Sequence, residues 1–463
     1  MLASLALLAS ALSFAVSGWL KGRPKGWIFP SDAFFLLTLL VTGMVPFVNL
    51  RASAGDLTVF FFTDETIRSA LLALAIMYAV FGCVWWLRRP IVAPSLLPPA
   101  AAKDEMWRQV SLYALLGAAA FFIVSVAAIS YPPYLAFKKD VLRFVVGAID
   151  ADSYQYARRI LFVGDTFIGS VIGRLRFSVY PLLFLSCMLF LMRRFGFLVC
   201  FVCAFALTVL GPASLSKAVL VVFLAYFVIA FLLEREYAWP FRTRNVAISL
   251  SIAIPSILLL LSIIYFLQYR TEFVGITDLP RATNLAFYRI FVATYQGLLQ
   301  YFSTFPDVHG FAGVSTISLV APLLGVETRN LDVEVAIAFL GPNRGMLTSF
   351  PTIFIGNAYA SFGYFGVAVF SGGVAVFLAY VDRWVLRIRN RYLRIVYIAT
   401  MMVNVAHFAV LAAPAALITY GCGIIPIIIL LCDRMVQGAA RTKRAQAYLS
   451  AKAQRSRPIN PPR

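Results

Sequence analysis

The chain alternates between long apolar stretches and short polar or charged segments. Apolar stretches of about 17–25 residues are long enough to cross a bilayer as α-helices. A helix also satisfies its own backbone groups where no water is present. The pattern predicts an all-α polytopic membrane protein with about eleven transmembrane helices, placed at residues 1–20, 33–50, 69–87, 109–130, 178–192, 196–212, 216–233, 246–268, 352–380, 394–412 and 415–432.

Composition supports this class and excludes a soluble globular domain. Hydrophobic residues make up 61% of the chain and charged residues only 13%. A water-soluble fold does not need so much apolar surface, whereas a bundle of membrane helices does.

The net charge of +20 is unevenly distributed over the connecting segments. Every second connection, together with the C-terminal tail, holds 25 Lys/Arg and 7 Asp/Glu, while the remaining segments hold 15 and 13. Because basic loops stay in the cytoplasm, this split predicts an outside N-terminus and a cytoplasmic C-terminus. The charge therefore reports topology and does not call for a nucleic-acid partner. We predict one transmembrane domain over residues 1–432 and a disordered basic tail over 433–463 that can contact anionic membrane lipid.

Two predicted outer segments, residues 131–177 and 269–351, are too apolar to be free loops. Within the second, "NLAFYRIFVATYQGLLQYFSTF" has apolar and aromatic residues at helical spacing and is typical of an interfacial amphipathic helix. "HGFAGVSTISLVAPLLG" is typical of a membrane-dipping segment. We expect the two outer segments to form a helical cap over the active site.

Arginine persists on this outer face although the positive-inside bias should deplete it there. Each such arginine on its own is better explained by snorkelling to phospholipid headgroups. As a set, they suggest a cavity that holds a diphosphate, since planar guanidinium binds phosphate oxygens in pairs. We predict catalytic roles for Arg289 and Arg344. The predicted substrate-binding residues are Arg158, Arg159, Lys217, Arg270, Arg281, Asn357 and Tyr295.

A base must accompany such a cation site if the reaction deprotonates a hydroxyl. His309 lies in the outer segment beside Asp307 and titrates nearest neutral pH, so we predict it as the general base. A loop histidine without a role explains the same pattern. Other carboxylates compete for the role of the base, namely Asp165, Glu327, Asp332 and Glu334.

Motifs for other chemistries are missing. The chain has no Gly-rich phosphate loop before Lys-Ser/Thr, no H-E-x-x-H and no G-x-S-x-G. We therefore predict neither a metal site nor a cofactor.

Several features resemble the bacterial oligosaccharide repeat-unit polymerases, the Wzy-type family that makes O-antigen and exopolysaccharide. They are the span layout, the large outer segment before the ninth span, and the stretches "YQGLLQYFSTFP" and "SFPTIFIGNAYASFGYFGVAVF". The resemblance implies a GT-C-like glycosyltransferase of the inner membrane. Such an enzyme transfers a glycan from undecaprenyl diphosphate to the terminal sugar of another lipid-linked repeat unit at the periplasmic face, without metal or nucleotide sugar.

The resemblance also implies partners and leaves rivals open. A chain-length regulator and a flippase are the expected protein partners. The rival functions are an O-antigen ligase, which uses the same donor, and a transporter or flippase for lipid-linked oligosaccharide. A transporter predicts polar residues deep in many spans, but here most of the polarity gathers at one face.

Overall fold

The structure is a computed structural model in which part of the chain is described. The described stretches are residues 2–21, 29–45, 62–88, 179–195, 279–288, 292–317, 320–345, 350–388, 390–418 and 421–435, with scattered residues between and after them. Within these stretches all regular structure is helical, as the sequence predicts for the fold class.

We number the α-helices in chain order. They are α1 (Leu2–Leu20), α2 (Pro30–Gly43), α3 (Asp64–Leu87), α4 (Val179–Phe195), α5 (Leu279–Phe287), α6 (Ala293–Thr304), α7 (Leu331–Gly345), α8 (Phe354–Arg387), α9 (Arg391–Ala406), α10 (Ala413–Ile418) and α11 (residues 424–435). Short 3₁₀ turns occur at Gly313–Thr316, Pro322–Leu324 and His407–Ala409.

Three of the described helices, α1, α3 and α8, are long and apolar enough to cross a membrane. They occupy the predicted spans at 1–20, 69–87 and 352–380. The shorter helices α2, α4, α9, α10 and α11 lie within or across predicted spans, whereas the spans at 109–130, 196–212, 216–233 and 246–268 fall almost wholly outside the described residues. The total number of crossings therefore stays a prediction, as does most of the cap segment 131–177.

Local sequence signals explain where several helices begin. Thr63 precedes α3 and accepts a hydrogen bond from the backbone N–H of Thr66 at 3.2 Å. Asn390 caps α9 in the same way through Leu393. Such side chains satisfy backbone donors that have no partner inside the first turn of a helix.

Helices α1 and α3 run parallel in close contact. The ring of Phe14 packs on Gly82, where a Cβ would overlap it, and stacks on Trp86 with 6.1 Å between ring centroids. Helix α2 runs antiparallel to α3, and its Phe34 and Phe35 contact Phe81 and Trp85. Gly82 lies where α1 and α3 cross. This small residue lets the backbones of α1 and α3 approach closely, as is common between membrane helices.

A buried ionic cluster joins the ends of α1, α2, α3 and α8 that the charge count assigns to the cytoplasm. The carboxylate of Asp382 lies 3.7 Å from Arg88 and accepts a 2.6 Å hydrogen bond from the Ser31 hydroxyl. Arg88 also donates to the backbone oxygen of Trp19 at 2.8 Å. Because both charges are almost fully buried, removal of one partner would leave the other uncompensated, at a cost of about 3–5 kcal/mol.

Helix α8 is broken at Phe362 and Gly363. Gly363 has φ 62° and ψ −152°, far from helical values. A Cβ on Gly366 would overlap the carbonyl oxygen of Ala358, yet residues eight apart on a straight helix are separated by about 12 Å. The two halves of α8 therefore pack against each other beyond the break. In place of the continuous span predicted at 352–380, the structure has a short half, residues 354–361, and a long half, residues 364–387.

The long half alone is long enough to cross a bilayer. It measures about 36 Å, against about 30 Å for the hydrocarbon core. The short half instead lies beside α6, with the Phe302 ring stacked on Tyr359 at 3.9 Å. The break thus turns what would be an overlong span into one crossing helix and one buried half-helix.

Helix α6 corrects the expectation of an interfacial helix. Every residue of Ala293–Thr304 except Ser303 is buried. The close packing depends on Gly297, where a Cβ would overlap the carbonyl oxygen of Pro351. Protein rather than the lipid interface covers the face that carries Gln296 and Gln300.

A glycine pair tests the break in α8. Gly363→Ala places a Cβ on a backbone with positive φ, and we expect it to destabilise the protein by about 1–2 kcal/mol. Gly373 lies in the helical part of the long half with open space around the Cβ position. Gly373→Ala should therefore be neutral or stabilising by up to about 1 kcal/mol.

The measurement is the unfolding midpoint of each purified variant in the same detergent. Equal midpoints for the two variants would contradict the break.

Candidate functional site

Three polar side chains from α6, α7 and the short half of α8 meet next to the break. The hydroxyl of Tyr301 donates a short hydrogen bond to the carboxylate of Asp332 and lies 3.4 Å from Oδ1 of Asn357. Tyr301 is fully buried, whereas Asp332 and Asn357 are half-buried. We call these three residues the polar cluster.

Each helix presents its member of the cluster for a local reason. Asp332 lies in the first turn of α7, where a carboxylate is favoured by the unpaired backbone N–H groups of the helix start. Asn357 lies in the first turn of α8, within the short half 354–361. Tyr301 lies near the C-terminal end of α6, and its neighbour Phe302 fixes α6 against α8 through Tyr359.

Burial changes the acidity of the carboxylate. Loss of solvent raises the pKa of Asp332 above its usual value, and the hydrogen bond from Tyr301 partly offsets that rise. A buried tyrosine hydroxyl left without this partner would cost about 1–3 kcal/mol, so the hydrogen bond also holds α6 and α7 together. A carboxylate with a raised pKa is a better proton acceptor at neutral pH than an exposed one.

A small cleft borders the cluster. Its polar side consists of Asn357, Ser361 and Thr316, and the hydroxyls of Ser361 and Thr316 lie 2.9 Å apart. Its apolar side consists of Phe354, Ala358, Phe370, Ala412, Ala413 and Pro414. The cavity volume of this cleft is about 20 Å³, which is enough for about one ordered water molecule. Asn357 is thus shared by the cluster and the cleft.

Among the described residues, the predicted base His309 makes no direct contact with this cluster. Its ring is half-buried and packs on Phe305, with 6.0 Å between ring centroids. Asp307 is exposed, and the described residues include no ion pair between these two side chains. His309 follows the end of α6, so it lies near the cluster along the chain, but the orienting carboxylate contact expected for a base is not formed.

The predicted cation site is only partly described. Arg281 is exposed on α5, and Arg344 lies near the end of α7, beyond a break at Gly341 with φ 75°. The side chain of Arg344 falls outside the described part of the structure. The remaining predicted cations also fall outside it: Arg158, Arg159, Lys217, Arg270 and Arg289.

Two other residues of the outer segment 269–351 have definite positions. Tyr295 is fully buried on α6, about 9 Å along the helix from Tyr301. Arg329 pairs with Glu334 through two hydrogen bonds, one of 2.9 Å from Nε. The two charges of this pair compensate each other. The first turn of α7 carries two carboxylates: Glu334 is paired with an arginine, whereas Asp332 is hydrogen-bonded to the neutral Tyr301.

Sequence reasoning named Asp332 only among competitors for the base and did not single out Tyr301. The partners are 31 residues apart in the chain. Their pairing depends on how α6 and α7 pack, which no local spacing reports. The sequence offered one signal for this pair, namely the acidic residues in the first turn of α7. Within the described stretches, no three His, Cys, Asp or Glu side chains form a group that could hold a metal.

The raised pKa of Asp332 predicts an unusual stability change. Because the folded protein keeps this proton to a higher pH than the unfolded chain does, the carboxyl lowers stability as pH rises between those two pKa values. We expect Asp332→Asn to be more stable than the wild type at neutral pH, since Asn keeps an oxygen for Tyr301 without the buried charge. The advantage should vanish in acid, below both pKa values.

Thermal unfolding at neutral and acid pH measures this difference. Asp307→Asn, at an exposed carboxylate, is the control and should stay within about 0.5 kcal/mol of the wild type. A loss of stability in Asp332→Asn at neutral pH would contradict the account.

Comparison with known proteins gives no relative for this arrangement. The chain matches no protein-family model, no curated protein and no solved structure.

Proposed function

We propose that this protein is a multi-pass glycosyltransferase of the bacterial inner membrane that polymerises undecaprenyl-diphosphate-linked oligosaccharide repeat units. In this proposal the chain crosses the membrane about eleven times. The segment 269–351 and the start of α8 then face the periplasm. The resemblance of residues 269–379 to repeat-unit polymerases supports the substrate class.

The observation that carries the proposal is the half-buried carboxylate of Asp332, which Tyr301 links to Asn357 at the edge of the cleft. Transfer to a sugar hydroxyl requires a base at the point where that hydroxyl attacks. Asp332 has the raised pKa such a base needs, and Tyr301 fixes its orientation through one hydrogen bond. This assigns to Asp332 the role that the sequence analysis gave to His309, which lacks an orienting partner among the described residues.

The reaction balances with these groups. The acceptor hydroxyl gives its proton to Asp332 while its oxygen forms a bond to the anomeric carbon of the donor glycan. The bond from that carbon to the diphosphate oxygen breaks, and undecaprenyl diphosphate leaves with the electron pair. Cations must stabilise the negative charge that collects on the diphosphate.

Arg289 and Arg344 are the proposed cations for that charge. Arg344 lies beyond the break at Gly341 in α7, the helix whose first turn carries Asp332. Fixed guanidinium groups stabilise a departing diphosphate without reorganisation during the reaction. Holding two lipid-linked glycans side by side supplies the rest of the rate enhancement through proximity.

The cleft as described admits about one water molecule, so a glycan requires it to open. Two features near the cleft mark places where it can widen. The break at Gly363 lies just after Ser361, and Gly421, with φ 75°, follows α10 on the opposite side. Opening between the short half of α8 and α10 would expose Asn357 without separating Tyr301 from Asp332.

Deletion of the gene followed by analysis of surface polysaccharide tests the function. A polymerase mutant leaves single capped repeat units, a ligase mutant leaves free polymer on the lipid carrier, and a flippase mutant leaves units inside the cell. We expect the first outcome. Either of the other two would overturn the polymerase assignment.

Complementation of the deletion strain then tests the residues. Asp332→Asn should lower polymer formation by about 10²-fold or more, the usual contribution of a general base. Arg289→Ala and Arg344→Ala should abolish polymer at unchanged protein level. Glu65→Gln, at an exposed carboxylate in the first turn of α3, is the control that should restore polymer fully. Full polymer with Asp332→Asn would remove this residue from the reaction.

A further inference from the structure

We propose that residues 320–326, here called the apolar tip, insert into the boundary between lipid headgroups and acyl chains. The tip inserts into the membrane surface that lies at the level of the break in α8, at Phe362 and Gly363. This inference concerns a contact with lipid and does not depend on the proposed polymerase activity.

Exposure of large apolar side chains is the first observation. Leu323 is 84% exposed and Leu324 is 60% exposed, while Val320 and Val326 are also exposed. Patches of this kind mark surfaces that contact a membrane or another protein. No charged residue occurs from Phe311 to Val326, so the whole loop can approach lipid without burying a charge.

The depth of the loop follows from α8. The long half of α8 has Arg383 and Arg387 towards one end and is about 36 Å long, so its other end reaches the opposite boundary of the hydrocarbon core. That other end is the break. The Phe311 ring packs on Gly363, and the backbone N–H of Ala312 donates to the carbonyl of Ala360 at 2.9 Å. The loop therefore starts at the membrane boundary.

Hydrogen bonds at the base of the loop hold the tip at the level of the membrane boundary. Its base is closed by a 2.9 Å hydrogen bond from the N–H of Arg329 to the carbonyl of Ser315, and the hydroxyl of Thr316 bonds to Ser361 of α8. The tip itself contains the 3₁₀ turn Pro322–Leu324. Exposed polar residues, Glu327 and Thr328, follow immediately and define a sharp boundary between the apolar tip and water.

Continuity with the outer surface of α8 points to lipid rather than to a protein partner. Directly after the break, α8 carries exposed Phe365, Val369, Val376 and Tyr380 along one helix face. An exposed apolar stripe on a membrane-length helix is what lipid contacts. Tyr359 and Tyr364 lie at the break, at the level where aromatic residues collect in membrane proteins. The tip extends this surface into the adjoining loop.

Fluorescence quenching in lipid nanodiscs tests the insertion. Leu323→Trp adds a reporter at the tip, and Thr328→Trp adds a matched one five residues further along the same loop. Nanodiscs are made from phosphatidylcholine with or without bromine on the acyl chains near the headgroup, and the wild-type signal is subtracted. We expect brominated lipid to lower the added emission about twofold or more for Leu323→Trp and to leave Thr328→Trp nearly unchanged.

A tip that contacts water, a second copy or another protein would show the same weak quenching at both positions, and that result would overturn the proposal. Strong quenching at both positions would also overturn it, because insertion would not be confined to the tip. Leu324→Trp repeats the measurement should Leu323→Trp fail to fold, as judged by its unfolding midpoint.

Discussion

The arrangement of the described helices depends most on the positive φ of Gly363, which breaks α8. Helix α8 has 34 residues and as a straight rod would measure about 51 Å, far more than a bilayer core. The break divides it, so that one half can cross the membrane while the other packs on α6. The same break receives Phe311 and fixes the start of the apolar loop. A residue with a Cβ would resist this conformation.

The buried half-helix in turn places Asn357 3.4 Å from the Tyr301 hydroxyl, which also bonds to Asp332. A carboxylate at this position costs stability, because burial raises its pKa and one hydrogen bond offsets only part of that cost. Proteins retain such costs mainly where the group has a function. The ionic cluster of Arg88 and Asp382 at the other end of the bundle is different, since each charge there is matched by an opposite one and by further hydrogen bonds. This difference is why we propose a catalytic role for Asp332 and a structural role for Asp382.

The sequence predicted the coarse features well because membrane helices follow from length and hydropathy alone. It located α1, α3 and α8. It did not predict the break, although "FGYFG" contains the glycine responsible, since glycines within membrane helices more often serve packing. It took α6 for an interfacial helix because apolar spacing cannot distinguish burial in lipid from burial in protein. The pairing of Tyr301 with Asp332 depends on tertiary packing, which lies beyond any local pattern.

The pH dependence of polymer formation by the reconstituted protein tests the central claim most directly. If Asp332 is the base, activity falls in acid as this carboxylate is protonated. The hydrogen bond from Tyr301 lowers its pKa. Tyr301→Phe should therefore move the acid limb of the rate profile to higher pH, because the carboxylate loses the hydrogen bond that stabilises its charged form. An acid limb at the same pH in Tyr301→Phe and in the wild type would contradict the account.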